Sequence, residues 1–160
     1  MKTLLKMLRH KAIINKNFEL FIGKVKERQA MHDASKFQQD EFDGFAELDS
    51  EEVFKLYGTE EYKKRIADNK GIELHYKRNS HHPEFYLGKH KLEEELIDAM
   101  SFTDILEMVI DWKSASETYG TDFEKSLSIS KERFLPSPYT WHMIQLIAHD
   151  LYGTPKPALK

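Results

Sequence analysis

The chain has 160 residues, 40% apolar and 12% aromatic, a composition that folds unaided and excludes a disordered segment. Its 24 Lys and Arg against 27 Asp and Glu leave a net charge of -3 with no basic stripe, which argues against duplex nucleic acid as a partner. With no cysteine there is neither a disulfide framework nor a thiolate zinc site, so any metal must be held by His, Asp, Glu or water.

Val, Ile and Thr never gather into alternating runs, whereas apolar residues recur at three- and four-residue steps throughout. An all-α fold is expected, a single-domain helical bundle over residues 1–160. In the opening "MKTLLKMLRHKAIINKNFELF", Lys6, Arg9, His10 and Lys11 interrupt the apolar run, so it reads as a helix of the mature chain and not as a signal peptide. Ile14, Phe18, Phe21, Ile22 and Val25 give that helix a core-facing stripe, on which His10 also lies. The pattern continues through "GKVKERQAMHD", where Gly23 is the natural break.

"QQDEFDGFAELDSEEVFKLYG" predicts one or two short helices ending at Gly58. "TEEYKKRIADNKGIELHYKRN" predicts one helix, capped by Thr59 and running to Asn79 despite Gly71. "SHHPEFYLGKHK", with Pro83 and Gly88, is a loop or a loop with a short helical turn. "LEEELIDAMSFTDILEMVIDWKSASETYG" is the longest helical pattern and stops at Gly120. Two more helices follow, separated by "LPSP", and residues 152–160 form a frayed tail. No apolar run approaches the roughly 20 residues of a membrane span, so a soluble, cytoplasmic protein without a membrane partner is expected.

The helix around "MSFTDILEMVIDW" is apolar nearly all the way round, yet Asp104, Glu107 and Asp111 share one of its faces. A buried ionised carboxylate costs several kcal/mol unless a positive group pairs with it. A divalent metal held by imidazoles and carboxylates would satisfy these acids and also account for the abundance of histidine. His10, His32, His75, His81 and His82 are the candidates, and His75 lies one helical turn before Asn79, with His82 three residues further on. His90, His142 and His149 lack suitable companions and read as packed or surface residues. Each candidate has a simpler reading when taken alone: His10 as a packed histidine, Asp33 as a helix cap, Lys36 as a solvated charge, Glu107 as a salt-bridge partner. Their combination changes the balance.

In chain order, His10, the doublet His32-Asp33, Lys36, His75, His81-His82 and Asp111 resemble the HD-domain superfamily of metal-dependent phosphohydrolases, over roughly residues 8 to 112. The resemblance implies that His10 matches the first-helix ligand, His32 and Asp33 the doublet, and Asp111 the distant aspartate, all on one divalent metal. "HDASK" is similar to the HDxGK of HD-GYP-type phosphodiesterases, in which the lysine contacts the substrate phosphate, a role that falls to Lys36. The remaining histidines are similar to those holding a second metal in binuclear members, which implies His75 with His81 or His82. The motifs HDxSK, HxxxNxHHPE and EMxxDW also resemble a small group of such proteins from phages and bacteria. The six- or seven-residue step from His75 to His81-His82 is shorter than in HD-GYP members and the GYP part is absent, so cyclic dinucleotide hydrolysis is not implied.

The expected function is hydrolysis of a small anionic phosphorylated substrate, on family analogy a nucleotide, by water activated on one or two divalent ions (Mn, Fe, Co, Ni, Zn or Mg). Asp33 would position the water, Lys36 would neutralise phosphoryl oxygens, and Glu107 or Asp104 would orient ligand histidines or accept a proton. Asn79 and Glu84 are candidate substrate contacts. Two rival readings exist: an HD-fold di-iron oxygenase similar to myo-inositol oxygenase, and a non-catalytic helical binding or regulatory protein. One geometric condition applies. If residues 10 to 32 formed one straight helix, His10 and His32 would stand about 33 Å apart at 1.5 Å per residue, so the chain is expected to turn back near Asn17 or Gly23.

Overall fold

The computed structural model of the chain describes residues 2–50, 52–87 and 96–158. Among these are seven α-helices and no strand, the all-α architecture expected. The chain divides by its internal contacts into two units, residues 1–34 and 35–160.

The first unit is essentially one helix, α1 (Lys2–Met31). No residue of α1 is buried, so the expected core-facing stripe buries nothing: Leu8 is 56% exposed and Phe18 62%. The expected turn is absent as well. The helix runs straight through Asn17 and Gly23, and a Cβ at Gly23 would meet nothing within 4 Å, so no packing forces a bend there. The helix is unbroken from His10 to Met31, about 32 Å at 1.5 Å per residue, so His10 and His32 cannot share an ion. His10 leaves the candidate metal set. Beyond Met31 the chain turns through Asp33, whose φ of 55° lies in the left-handed region that Asp tolerates better than most residues.

In the second unit, a 3-10 turn (Ala34–Phe37) leads into α2 (Gln39–Ser50) and a second 3-10 turn (Val53–Leu56). Then come α3 (Glu60–Asp68), α4 (Lys70–Arg78) and a third 3-10 turn (Pro83–Tyr86), followed by α5 (Phe102–Tyr119), α6 (Phe123–Phe134) and α7 (Pro138–Tyr152). One core joins Leu48, Val53, Tyr62, Ile66 and Ile72 from α2, α3, α4 and the second turn. The other joins Ile105, Met108 and Val109 of α5 to Phe123, Leu127, Ile144, Ile147 and Ala148 of α6 and α7.

The helix expected over 59–79 is two helices. Thr59 caps the first as anticipated, accepting from the Tyr62 amide, but Asn69 ends it and starts the next. The Asn69 backbone N–H reaches Ile66 O, while its side-chain oxygen accepts from the Ile72 amide at 3.0 Å and its side-chain nitrogen donates to Gly44 O at 3.1 Å. The chain bends there to bring Gly71 against Gly44, and a Cβ on Gly71 would sit 2.8 Å from Gly44 Cα. Only a glycine pair lets α2 and α4 approach so closely.

The helix containing Asp104 is shorter than its pattern. Ser101 and Asp104 form a reciprocal capping box that starts α5 at Phe102, so Ile97 and Met100 are buried ahead of the helix. α5 ends on Gly120 in the left-handed conformation, as expected. Gly88 and His90 lie outside the described residues. The tail from Gly153 to Ala158 has no regular structure, and no described helix is long and apolar enough to cross a membrane.

Candidate metal centre

The Gly44–Gly71 contact fixes what stands one turn away on each helix: Glu41 on α2 and His75 on α4. Both side chains are almost completely buried, at 0% and 2% exposure. Glu41 Oε2 lies 3.0 Å from His75 Nδ1 and accepts from Ser35 Oγ at 2.8 Å, while Arg78 Nη1 donates to Oε1 at 2.8 Å. Arg78 continues outward to Asp40 as a bidentate pair. These bonds to Asp40 first, and then to Glu41, hold the guanidinium well above its usual range. A buried carboxylate needs such a cation.

An ionised carboxylate can only accept, so the proton of His75 belongs on Nδ1 and its lone pair on Nε2. His75 Nε2 lies 2.9 Å from His82 Nε2. Two nitrogens each about 2.0–2.1 Å from one ion, at right angles to each other, are separated by about this distance. Asn79 braces the arrangement, its side-chain nitrogen lying 2.7 Å from Ser35 Oγ and 2.9 Å from His75 O. The same nitrogen lies 3.0 Å from His75 Nδ1.

His81 is 3% exposed and meets Glu107 Oε1 through Nδ1 at 3.2 Å. Nε2 is the atom that this carboxylate does not use. His75, His81 and His82 each bring a ring nitrogen within 4.8 Å of the others. Two of these imidazoles are thus held through Nδ1 by a carboxylate, the arrangement that fixes ring orientation and raises ligand basicity in metal sites.

The three acids of α5 part company. Asp104 is buried but takes hydroxyl donors, Ser80 Oγ at 2.6 Å and Tyr86 OH at 3.0 Å, along with the cap Ser101. It ties the loop that carries the histidines to the start of α5. Glu107 holds His81. Asp111, one turn further along, lines a cavity of about 150 Å³ together with Lys36, His75 and His82. Lys36 Nζ stands 4.6 Å from the centre of the Phe45 ring, a cation–π contact that aims its charge along the cavity wall. Glu84 lines the same cavity, with Oε1 paired to Arg133 and Oε2 buried with no hydrogen-bond partner among the described residues.

In the first unit, His32 Nε2 lies 3.4 Å from Asp33 Oδ2 at the end of α1, both side chains partly exposed. His142 and His149 lie away from these groups in sequence on α7, and His149 Nδ1 is engaged with Thr154 O at 2.6 Å. Sequence reasoning missed Glu41, Ser35 and Arg133; Arg78, considered within the run from Lys77 to Asn79 as an anion contact, pairs instead with Asp40 and Glu41. A signal for Glu41 existed: it shares a helical face with Phe45 and Leu48, and a charged residue on an apolar stripe deserves the scrutiny given to Asp111.

No curated protein and no solved structure matches this chain. A family model matches residues 1–150, and by that match the chain belongs to DUF5662, a family of unknown function.

Proposed function

We propose that this protein is a metal-dependent phosphohydrolase acting on a small phosphorylated molecule, with the fold and chemistry of the HD-domain superfamily. The observation that carries this reading is the cluster of His75, His81 and His82, two of them held through Nδ1 by Glu41 and Glu107. Asp111, on the cavity wall with His75 and His82, supplies a carboxylate ligand. A divalent ion bound by these groups would lower the pKa of a water and polarise a phosphoryl oxygen.

The chain's own residues do the rest. Glu41 and Glu107 keep the imidazole lone pairs directed at the ion, and Arg78 pairs with Glu41 from the side away from His75. Lys36 places a compact positive charge in the same cavity, where it neutralises phosphoryl oxygens as negative charge builds on them. That lysine favours phosphate chemistry over oxygen activation. The aromatic walls limit water around the reacting group.

The test is elemental analysis of purified protein followed by phosphate-release assays with added manganese. One or two equivalents of a divalent metal and manganese-stimulated phosphate release support the reading. Iron with oxygen uptake and no phosphate release would establish the oxygenase instead. Failure of any divalent ion to bind or to raise the melting temperature leaves a non-catalytic helical protein.

A further inference from the structure

The cavity beside the histidines also has a size and a lining, and both speak to what it holds. Its volume is about 150 Å³, and an apolar cavity of roughly this volume accommodates one benzene ring. Its lining includes two stacked aromatic pairs: Phe54 with Tyr119 at 5.1 Å between centroids, and Trp112 with Phe134 at 6.0 Å with the rings 6° from parallel.

Some of the polar groups in the lining are engaged, while Glu84 Oε2 has no hydrogen-bond partner among the described residues. Arg133 pairs with Glu84 and reaches the Tyr76 hydroxyl, and the Tyr57 hydroxyl lies 3.0 Å from Ser130 Oγ. Burial, and next the charge of Glu84, push the Tyr76 hydroxyl up to about 12, so it stays neutral. Arg133 and Glu84 also border a second cavity, lined by Gly58, Lys63 and Leu87, that does not include Lys36, His75, His82 or Asp111. The ion pair therefore forms part of the partition between the two spaces. A flat ring of benzene size would lie among aromatic side chains, with the charged groups of the lining left for its substituents.

We infer that the substrate is a phosphate monoester whose organic part carries a single flat ring, seated among Phe54, Trp112 and Tyr119 with the phosphate turned toward His75, His82, Asp111 and Lys36. This rests on the phosphohydrolase reading and narrows it: ring-free esters and esters of fused double rings are poor substrates. Ala115, whose side chain also lines the cavity, marks where added bulk would fill the ring's place.

The experiment uses non-hydrolysable phosphonates, so that ring recognition is read without turnover. The full chain with added manganese is titrated with methyl-, phenyl- and 1-naphthylphosphonate, following melting temperature and calorimetric affinity. Phenylphosphonate is expected to bind about tenfold tighter than either of the others, the gain from burying one ring. Ala115→Leu is expected to erase that preference; should this variant not fold, the wild-type series still decides. Equal affinity for methyl- and phenylphosphonate, tighter binding of the naphthyl compound, or no binding of any of the three overturns the inference. Ring-selective binding without turnover of phenyl phosphate would instead sustain the ring pocket and refute the hydrolase reading.

Discussion

Helices α1 and α5 carry the same apolar spacing and end in opposite circumstances. α5 buries Ile105, Met108 and Val109 against α6 and α7, while α1, the longer helix at 30 residues, buries none of its residues. Periodicity reports that a helix has a face, and nothing in it reports whether a partner exists. What separates the two is the company in sequence: α5 is followed by two further helices with matching apolar faces, whereas α1 runs into a turn at Asp33 and the polar start of α2. The functional candidates divide in the same way. The two imidazoles that a carboxylate holds through Nδ1, His75 and His81, lie in residues 35–160, and His10 lies on α1.

The contrast can be broken most forcefully at the carboxylate behind His75. Glu41→Ala removes the carboxylate behind the buried imidazole of His75, leaving Arg78 only Asp40, and should destabilise the protein by about 3–5 kcal/mol, with loss of metal binding, both read by chemical denaturation and metal titration. Next come the paired truncations Met108→Ala and Phe18→Ala. The first should cost about 2–5 kcal/mol and the second no more than about 0.5 kcal/mol in urea unfolding, because only the first opens a cavity. A large loss from Phe18→Ala would show that α1 is covered in solution.

Glu107→Gln should weaken metal affinity by roughly 10- to 100-fold with the fold retained, while His10→Ala should leave affinity unchanged in the same titration. The smallest effect is a pH slope. Because the Tyr76 hydroxyl is raised to about 12 from 10.0, chiefly by burial, its neutral form is favoured in the folded state. The stability it contributes is complete below pH 10 and falls away as pH rises toward 12. Tyr76→Phe should flatten that decline in alkaline melting curves.

Much of the fold was legible in the sequence. The all-α class, the Thr59 cap, the Gly120 stop and the order of helices after it follow from local rules, since each depends on residues within a turn or two of one another. The bend at Asn69 was not legible, because its cause is Gly44, 25 residues away, and the breaking signal assigned to Gly71 belongs to a helix crossing. The site shows the same split. His75, His81, His82, Glu107 and Asp111 were nominated from spacing and burial, and the structure brings the three histidines together with Glu107 on His81. Glu41 escaped notice because its role requires a contact across 34 residues. The expected turn in α1 failed for a simpler reason: Gly23 permits a bend, but nothing packs there to require one.

The left-handed backbone at Asp33 has a practical consequence for anyone probing the doublet. Alanine at that position would remove the carboxylate and also impose a conformation that a Cβ disfavours, so its loss of function would mix two causes. Glycine keeps the bend while deleting the acid, and asparagine keeps both the bend and the shape while deleting the charge. A metal affinity that falls alike in Asp33→Gly and Asp33→Asn would assign the defect to the missing negative charge, with the route of the chain left intact.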